Sequence, residues 1–147
     1  MKSLGLTLHE AASVMKREFE RELRPDGLTL MQWRVLGLLA DKAPLTQVST
    51  CAELNASAMT ISDLAERLEA AGMITREPDP HDSRAKVMAL TPAGEAQVAS
   101  VRAVAKGVYD RALVGIPAEE AEVTLRTLTR IIENLDTAKS ATKGTGR

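Results

Sequence analysis

A mainly α fold with one small β-hairpin is predicted for this 147-residue chain. Three observations predict it. The apolar residues are nearly all Ala, Leu, Val, Ile and Met, with one Phe, one Tyr and one Trp, a balance that favours helix over sheet. Apolar side chains recur at spacings of three and four along most of the chain. Only between Met73 and Leu90 do two short runs of strand-forming residues interrupt that period.

The first helix is expected over 7–24. Leu8, Ala11, Ala12, Met15, Phe19 and Leu23 form one stripe, with Thr7 and Glu10 as a capping box and Pro25-Asp26-Gly27 as the stop. Thr29 caps a second helix, from Leu30 to about Asp41. Pro44 breaks the chain, and Thr46 opens a short helix ending near Leu54 and Asn55. Ser57 caps the next helix, which carries Ile61, Leu64, Ala65 and Leu68 on one face and stops at Gly72. Two short helices joined by Asn55-Ala56-Ser57 outline a helix-turn-helix unit.

Met73–Arg76 and Lys86–Leu90 then read as a hairpin with a long tip, Asp79 to Arg84. Thr91, Pro92 and Glu95 are expected to open a helix as N-cap, first residue and capping-box partner. Its stripe is Val98, Val101, Val104, Ala105 and Val108. A last helix over 117–136 follows Pro117, with Glu119 and Glu120 favoured by the dipole of its first turn. It carries Val123, Leu125, Leu128, Ile131, Ile132 and Leu135. The remainder to Arg147 is small, polar and basic, and is expected to fray.

Composition narrows the function. The formal net charge is −1, which argues against a protein held to nucleic acid or membrane by overall charge alone. Cys51 is the single cysteine, so no internal disulfide is possible and a reducing cytoplasm suits the chain. His9, Glu10 and Lys16 interrupt the N-terminal stretch, which does not read as a secretory signal. No run approaches the ~18–20 apolar residues of a membrane span. His9 and His81 are the two histidines; they lie on distant elements, so no metal site is expected. No catalytic triad order or Gly-rich phosphate loop is present, and neither an enzyme nor a cofactor is expected.

The stretches LTLMQWRVLGLLA and RLEAAGMITREPDPHDSRAKVMALTPAG carry a further pattern. Leucine-glutamate, glycine, arginine, D-x-x-D-x-R and LT-x-x-G follow one another in the second. In these the chain resembles the MarR family (multiple-antibiotic-resistance regulators) of bacterial transcription factors, over nearly its whole length. The resemblance implies a winged helix-turn-helix lobe over about 28–91, dimerisation helices over about 4–24 and 92–138, and a flexible tail over 139–147, within one domain. It implies a homodimer on a pseudo-palindromic operator in double-stranded DNA, with half-site centres one turn, ~10 base pairs, apart. It also implies repression of a nearby operon, released by a small phenolic or anionic effector.

The resemblance places Arg84 at the wing tip as the guanidinium that enters the narrow, electronegative minor groove. Asp82 is expected to hold it by a charge-assisted hydrogen bond. Arg76 and Lys86, near the wing base, are expected at phosphates. If Ile61, Leu64, Ala65 and Leu68 face inward, Met59, Asp63, Glu66 and Arg67 face outward, with Thr60 and Ser62 on the flanks. Ser57, Thr60 and Ser62 offer hydroxyls near the helix N-terminus, Arg67 a guanine or phosphate contact, and Met59 a thymine-methyl contact. Asp63 lowers affinity unless it accepts from a cytosine amino group. The bland alternative for these polar residues is a merely solvated face.

From Ser57 to Leu90 there are six acids against four bases, so weak nonspecific binding is expected. That balance also keeps a second reading open, a winged protein–protein adaptor without DNA binding. Cys51 falls where the family carries a small packed alanine, and packing is the expected role rather than redox sensing. His9 and Trp33 are the candidates for an effector pocket, against core and lobe-junction roles.

Overall fold

The protein is described by a computed structural model covering residues 3–142, with the backbone alone for Asp26 and for 137–142. Among the described residues there are six α-helices, α1 (Leu4–Leu23), α2 (Leu30–Lys42), α3 (Gln47–Leu54), α4 (Ala58–Ala70), α5 (Pro92–Ala112) and α6 (Ala118–Thr142), and three strands, β1 (Leu45–Thr46), β2 (Ile74–Asp79) and β3 (Asp82–Leu90). The chain divides into two compact units, Met1–Val108 and Tyr109–Arg147.

Most helix starts follow the expected caps. Thr29 accepts from the Gln32 amide, and the Gln32 side chain accepts in return from the Thr29 amide at 2.9 Å. Thr46 and Ser57 cap α3 and α4. Asn55 adopts the left-handed region at φ 50° between these helices, and Gly72 at φ 73° ends the second. Two expected caps are corrected. Helix α1 begins four residues earlier than Thr7, at Ser3, whose hydroxyl accepts from the Leu6 amide. Thr7 sits inside the helix, where its hydroxyl donates to the Ser3 carbonyl. At α5 the Thr91 hydroxyl accepts from Gly94, the third helical residue, so Glu95 lies one place too late for a box. The Thr91 amide donates instead to the Met73 carbonyl.

The main core lies in the first unit. Val35, Leu36 and Leu39 of α2, Leu54 of α3, and Ile61, Ala65 and Leu68 of α4 pack with Ile74, Met88 and Val98. Thr50 is also buried, and its hydroxyl is satisfied by the Thr46 carbonyl at 2.9 Å. A second cluster joins Phe19, Ala105 and Val108, with Met15, Leu30 and Trp33 against it.

The wing is a three-stranded antiparallel sheet in the order β1-β3-β2. Strand β1 escapes sequence reading because two residues carry no period; its pairing with Met88 and Val87 creates it. The hairpin tip is also shorter than expected. Pairing runs out to Asp79↔Asp82, leaving Pro80 and His81 as the turn. Asp, Pro and Ser are poor strand formers, but cross-strand pairing carries them.

Gly94 has a packing reason. A Cβ built there would overlap the Met73 carbonyl oxygen and approach the Leu90 side chain at 3.2 Å. The first turn of α5 lies directly over the start of the wing, held by the Thr91 hydroxyl donating to Gly72 at 2.6 Å. Gly94→Ala is therefore predicted to cost about 1–3 kcal/mol through overpacking. Urea unfolding measures it; an unchanged midpoint would show that the contact yields freely.

Helix α6 runs to Thr142, into the expected tail, and residues 143–147 lie outside the described residues. No helix among the described residues is long and apolar enough to cross a membrane.

Candidate nucleic-acid interface

Helix α4 is amphipathic as its spacing requires. Ile61, Ala65 and Leu68 are buried, while Met59, Thr60, Asp63, Glu66 and Arg67 are exposed. Met59 is 75% exposed in the first turn of the helix. The helix N-terminus presents Ser57 and Thr60, whose hydroxyls share a 2.8 Å hydrogen bond while Ser57 accepts from the Thr60 amide at 3.1 Å. Ser62 is half-buried on the flank. The expected outer face is thus one continuous surface of α4.

The wing presents Arg84 through a defined irregularity. Pro78 pairs with Lys86 and Asp79 with Asp82, so Ser83, Arg84 and Ala85 fall between the two pairs. Such a bulge re-aims a side chain out of the ladder, and the Arg84 side chain is 91% exposed. Asp82 Oδ1 accepts from the Arg84 backbone amide at 3.0 Å and from its Nε at 3.4 Å. The shorter contact is to the backbone. Asp82 therefore fixes the bulge more firmly than it aims the guanidinium. Asp79 acts similarly one turn away, accepting from the His81 amide at 2.9 Å.

Arg76 departs from the expected phosphate contact. Strand alternation puts it on the same side of β2 as buried Ile74, across from buried Met88. Its side chain is 14% exposed, and its Nε and Nη2 donate to Glu69 Oε1 at 3.2 and 2.8 Å. That hydrogen bond is the main cause holding the Glu69 carboxyl below its ordinary value; partial desolvation opposes it, and the Arg76 and Lys86 charges assist. The same bond raises Arg76. Arg67, Arg84 and Lys86 remain as exposed cations of this face.

The effector candidates are not brought together. Trp33 stacks on Phe19 with ring centroids 5.8 Å apart, inside the second core cluster. Among the described residues its buried indole Nε1 has no hydrogen-bond partner. His9 is exposed on α1, ten residues before Phe19, or ~15 Å along a helix. Sequence reading missed the groove between α1 and α2, about 370 Å3, lined by Lys16, Glu20, Thr29, Leu30, Met31 and Arg34. Its two cations come from different helices, and no local spacing signals their meeting.

Cys51 is half-buried against the main core. Cys51→Ala is predicted to change stability by less than ~1 kcal/mol, as expected for a small, volume-tolerant site. DNA binding should not change. Peroxide-induced loss of DNA binding in the wild type but not in the mutant would assign the thiol a redox role instead.

Comparison with known proteins gives these features a setting. A family model described as MarR family matches residues 26–85. The transcriptional regulator HosA of Escherichia coli O111:H- is 29% identical over 108 residues, covering 74% of this chain and 79% of that protein. A probable transcriptional regulator from Pseudomonas aeruginosa superposes with a TM-score of 0.79 at 30% identity, over 88% of this chain and 97% of that one. The S. aureus MepR–DNA complex shares the fold, with a TM-score of 0.82 at 24% identity over 91% and 99% of the two chains. The matched model spans the helix-turn-helix and the wing as far as Ala85, and the structural likeness extends through the flanking helices: the chain belongs to the MarR family of transcriptional regulators.

Proposed function

We propose that the protein is a homodimeric repressor that covers a pseudo-palindromic promoter site and is released by a small anionic effector. The observation that carries the DNA-binding part is the pairing of two exposed elements. Helix α4 offers a polar outer face with hydroxyls at its N-terminus, and the adjoining wing offers a bulged, solvent-exposed Arg84. The first suits a major groove and the second the flanking minor groove. Ser57, Met59, Thr60, Ser62, Asp63 and Arg67 are the proposed groove and phosphate contacts, with Lys86 at a phosphate. MepR, with the same fold, has been captured on DNA.

Dimerisation is supported by α6, where Val123, Leu125, Ile132 and Leu135 are exposed. Exposed apolar surface of this kind is uncommon on a monomer. Effector binding is supported by the α1–α2 groove, where Arg34, and Lys16 in its 3.8 Å ion pair with Glu20, line the space together with Leu30 and Met31. Such a ligand lowers DNA affinity only through unequal affinity for the two lobe spacings.

The adaptor reading retains one specific support. Asp63 and Glu66 are both exposed on the outer face of α4. A mobility shift against the intergenic DNA upstream of the protein's own coding sequence decides between the two. A discrete complex surviving excess nonspecific competitor is expected. Binding no tighter than to random DNA would favour the adaptor.

A further inference from the structure

Arg76 and Glu69 join two elements that the chain connects through a tight turn. Glu69 lies in the last turn of α4, and Arg76 is the third residue of β2. Between them the chain turns through Ala71, Gly72 and Met73, with Gly72 at φ 73°. The base of the wing is tied down at that turn, by the Thr91 amide on the Met73 carbonyl. That bond, the Thr91 hydroxyl on Gly72, and the packing of Ile74 and Met88 in the main core hold the wing at its base. The pair is a further attachment, farther out along the wing. Both Nε and Nη2 of Arg76 reach the same Glu69 oxygen, so the planar guanidinium is held in orientation as well as position. Among the described residues, no other side-chain hydrogen bond joins the wing strands to α4.

We propose that Glu69 and Arg76 are positioning residues that set the angle of the wing against the recognition helix, and so deliver Arg84 to the DNA. The proposal rests on the DNA-binding reading above. Neither residue touches DNA. Glu69 is 40% exposed, which screens the pair, but Arg76 is 14% exposed, so loss of Glu69 carries a folding cost as well. The effect on binding is separable from that cost: a wing whose outer strands tilt still folds, but Arg84 no longer meets the groove while the helix is docked.

A double-mutant cycle between Glu69→Ala and Arg84→Ala tests this, using the full-length protein and its upstream intergenic DNA at fixed salt. Thermal unfolding of each variant is followed in parallel. With Glu69 intact, Arg84→Ala weakens binding strongly. In the Glu69→Ala background that penalty is expected to shrink about tenfold, as for residues coupled in one network. Glu69→Ala is expected to lower the melting temperature modestly, because the 14%-exposed Arg76 loses its partner, with every variant folded at the temperature of the titration. Glu69→Gln, which keeps an acceptor oxygen, should restore part of the penalty. Glu53→Ala, which removes the comparable Lys42–Glu53 pair (2.7 Å) elsewhere in the lobe, should leave the penalty whole.

An equal Arg84→Ala penalty with and without Glu69 would overturn the proposal, leaving the pair as a local contact. The proposal also fails if Glu53→Ala shrinks the penalty as much, or if Glu69→Gln, while folded, restores none of it. A negligible Arg84→Ala penalty even with Glu69 intact would overturn the wing reading itself, and this proposal with it.

Discussion

Arg84→Ala is expected to weaken operator binding by roughly 2–6 kcal/mol, because a symmetric dimer loses one contact from each lobe at ~1–3 kcal/mol apiece. Stability should hardly change. The side chain is 91% exposed and sits in a bulge outside the regular strand pairing, so the core loses nothing. Arg84→Lys should recover little, since an ammonium lacks the planar fork and is more strongly hydrated. Asp82 separates two roles. Its oxygen lies 3.0 Å from the Arg84 amide and 3.4 Å from Nε. If fixing the bulge is its main work, Asp82→Asn keeps the acceptor and nearly full affinity, whereas Asp82→Ala weakens binding. If the carboxylate charge aims the side chain, both variants should be equally weak. Titration of one operator at fixed salt measures all four variants. Full affinity in Arg84→Ala would make the wing an inert hairpin and shift weight to the adaptor reading.

Ile132→Asp is expected to dissociate the dimer, and to unfold the protein if the monomer cannot stand alone. Ile132 is 61% exposed in the single chain, beside Leu125, Leu128 and Leu135 on α6. On an isolated helix an aspartate at this place is well solvated and nearly harmless. In a two-fold interface the same change buries two unpaired carboxylates, at about 3–5 kcal/mol for each uncompensated charge. The size of the effect therefore reports whether the face is covered. Sedimentation of wild type and variant across micromolar concentrations is the measurement. A wild-type protein that sediments as a stable folded monomer would reject the dimer, and an Ile132→Asp variant that stays dimeric would place the interface elsewhere.

Local chemistry alone determined much of this protein. Ser57 and Thr46 as caps, Asn55 and Gly72 as helix ends, and the buried stripe Ile61-Ala65-Leu68 were legible because caps and helical period act within a few residues. The wing's existence and the outward turn of Met59, Asp63 and Arg67 followed from the same rules. What depended on partners far along the chain was not legible. Strand β1 exists through its pairing with Met88 and Val87, and the bulge that exposes Arg84 is set by register against Pro78 and Asp79. Thr91 bonds Met73 and Gly72 rather than completing a box with Glu95. For Trp33 the core role read ahead of the ligand role, and its partner there, Phe19, came only with the fold. Arg76 is the sharpest case. As a basic residue near a wing it read as a phosphate contact, but the sheet turns it inward onto Glu69. Alternation from Ile74 could have hinted at the inward face. Which acid waited there was decided only when the end of α4 packed against β2, since the energy of an ion pair depends on distance and burial rather than on sequence separation.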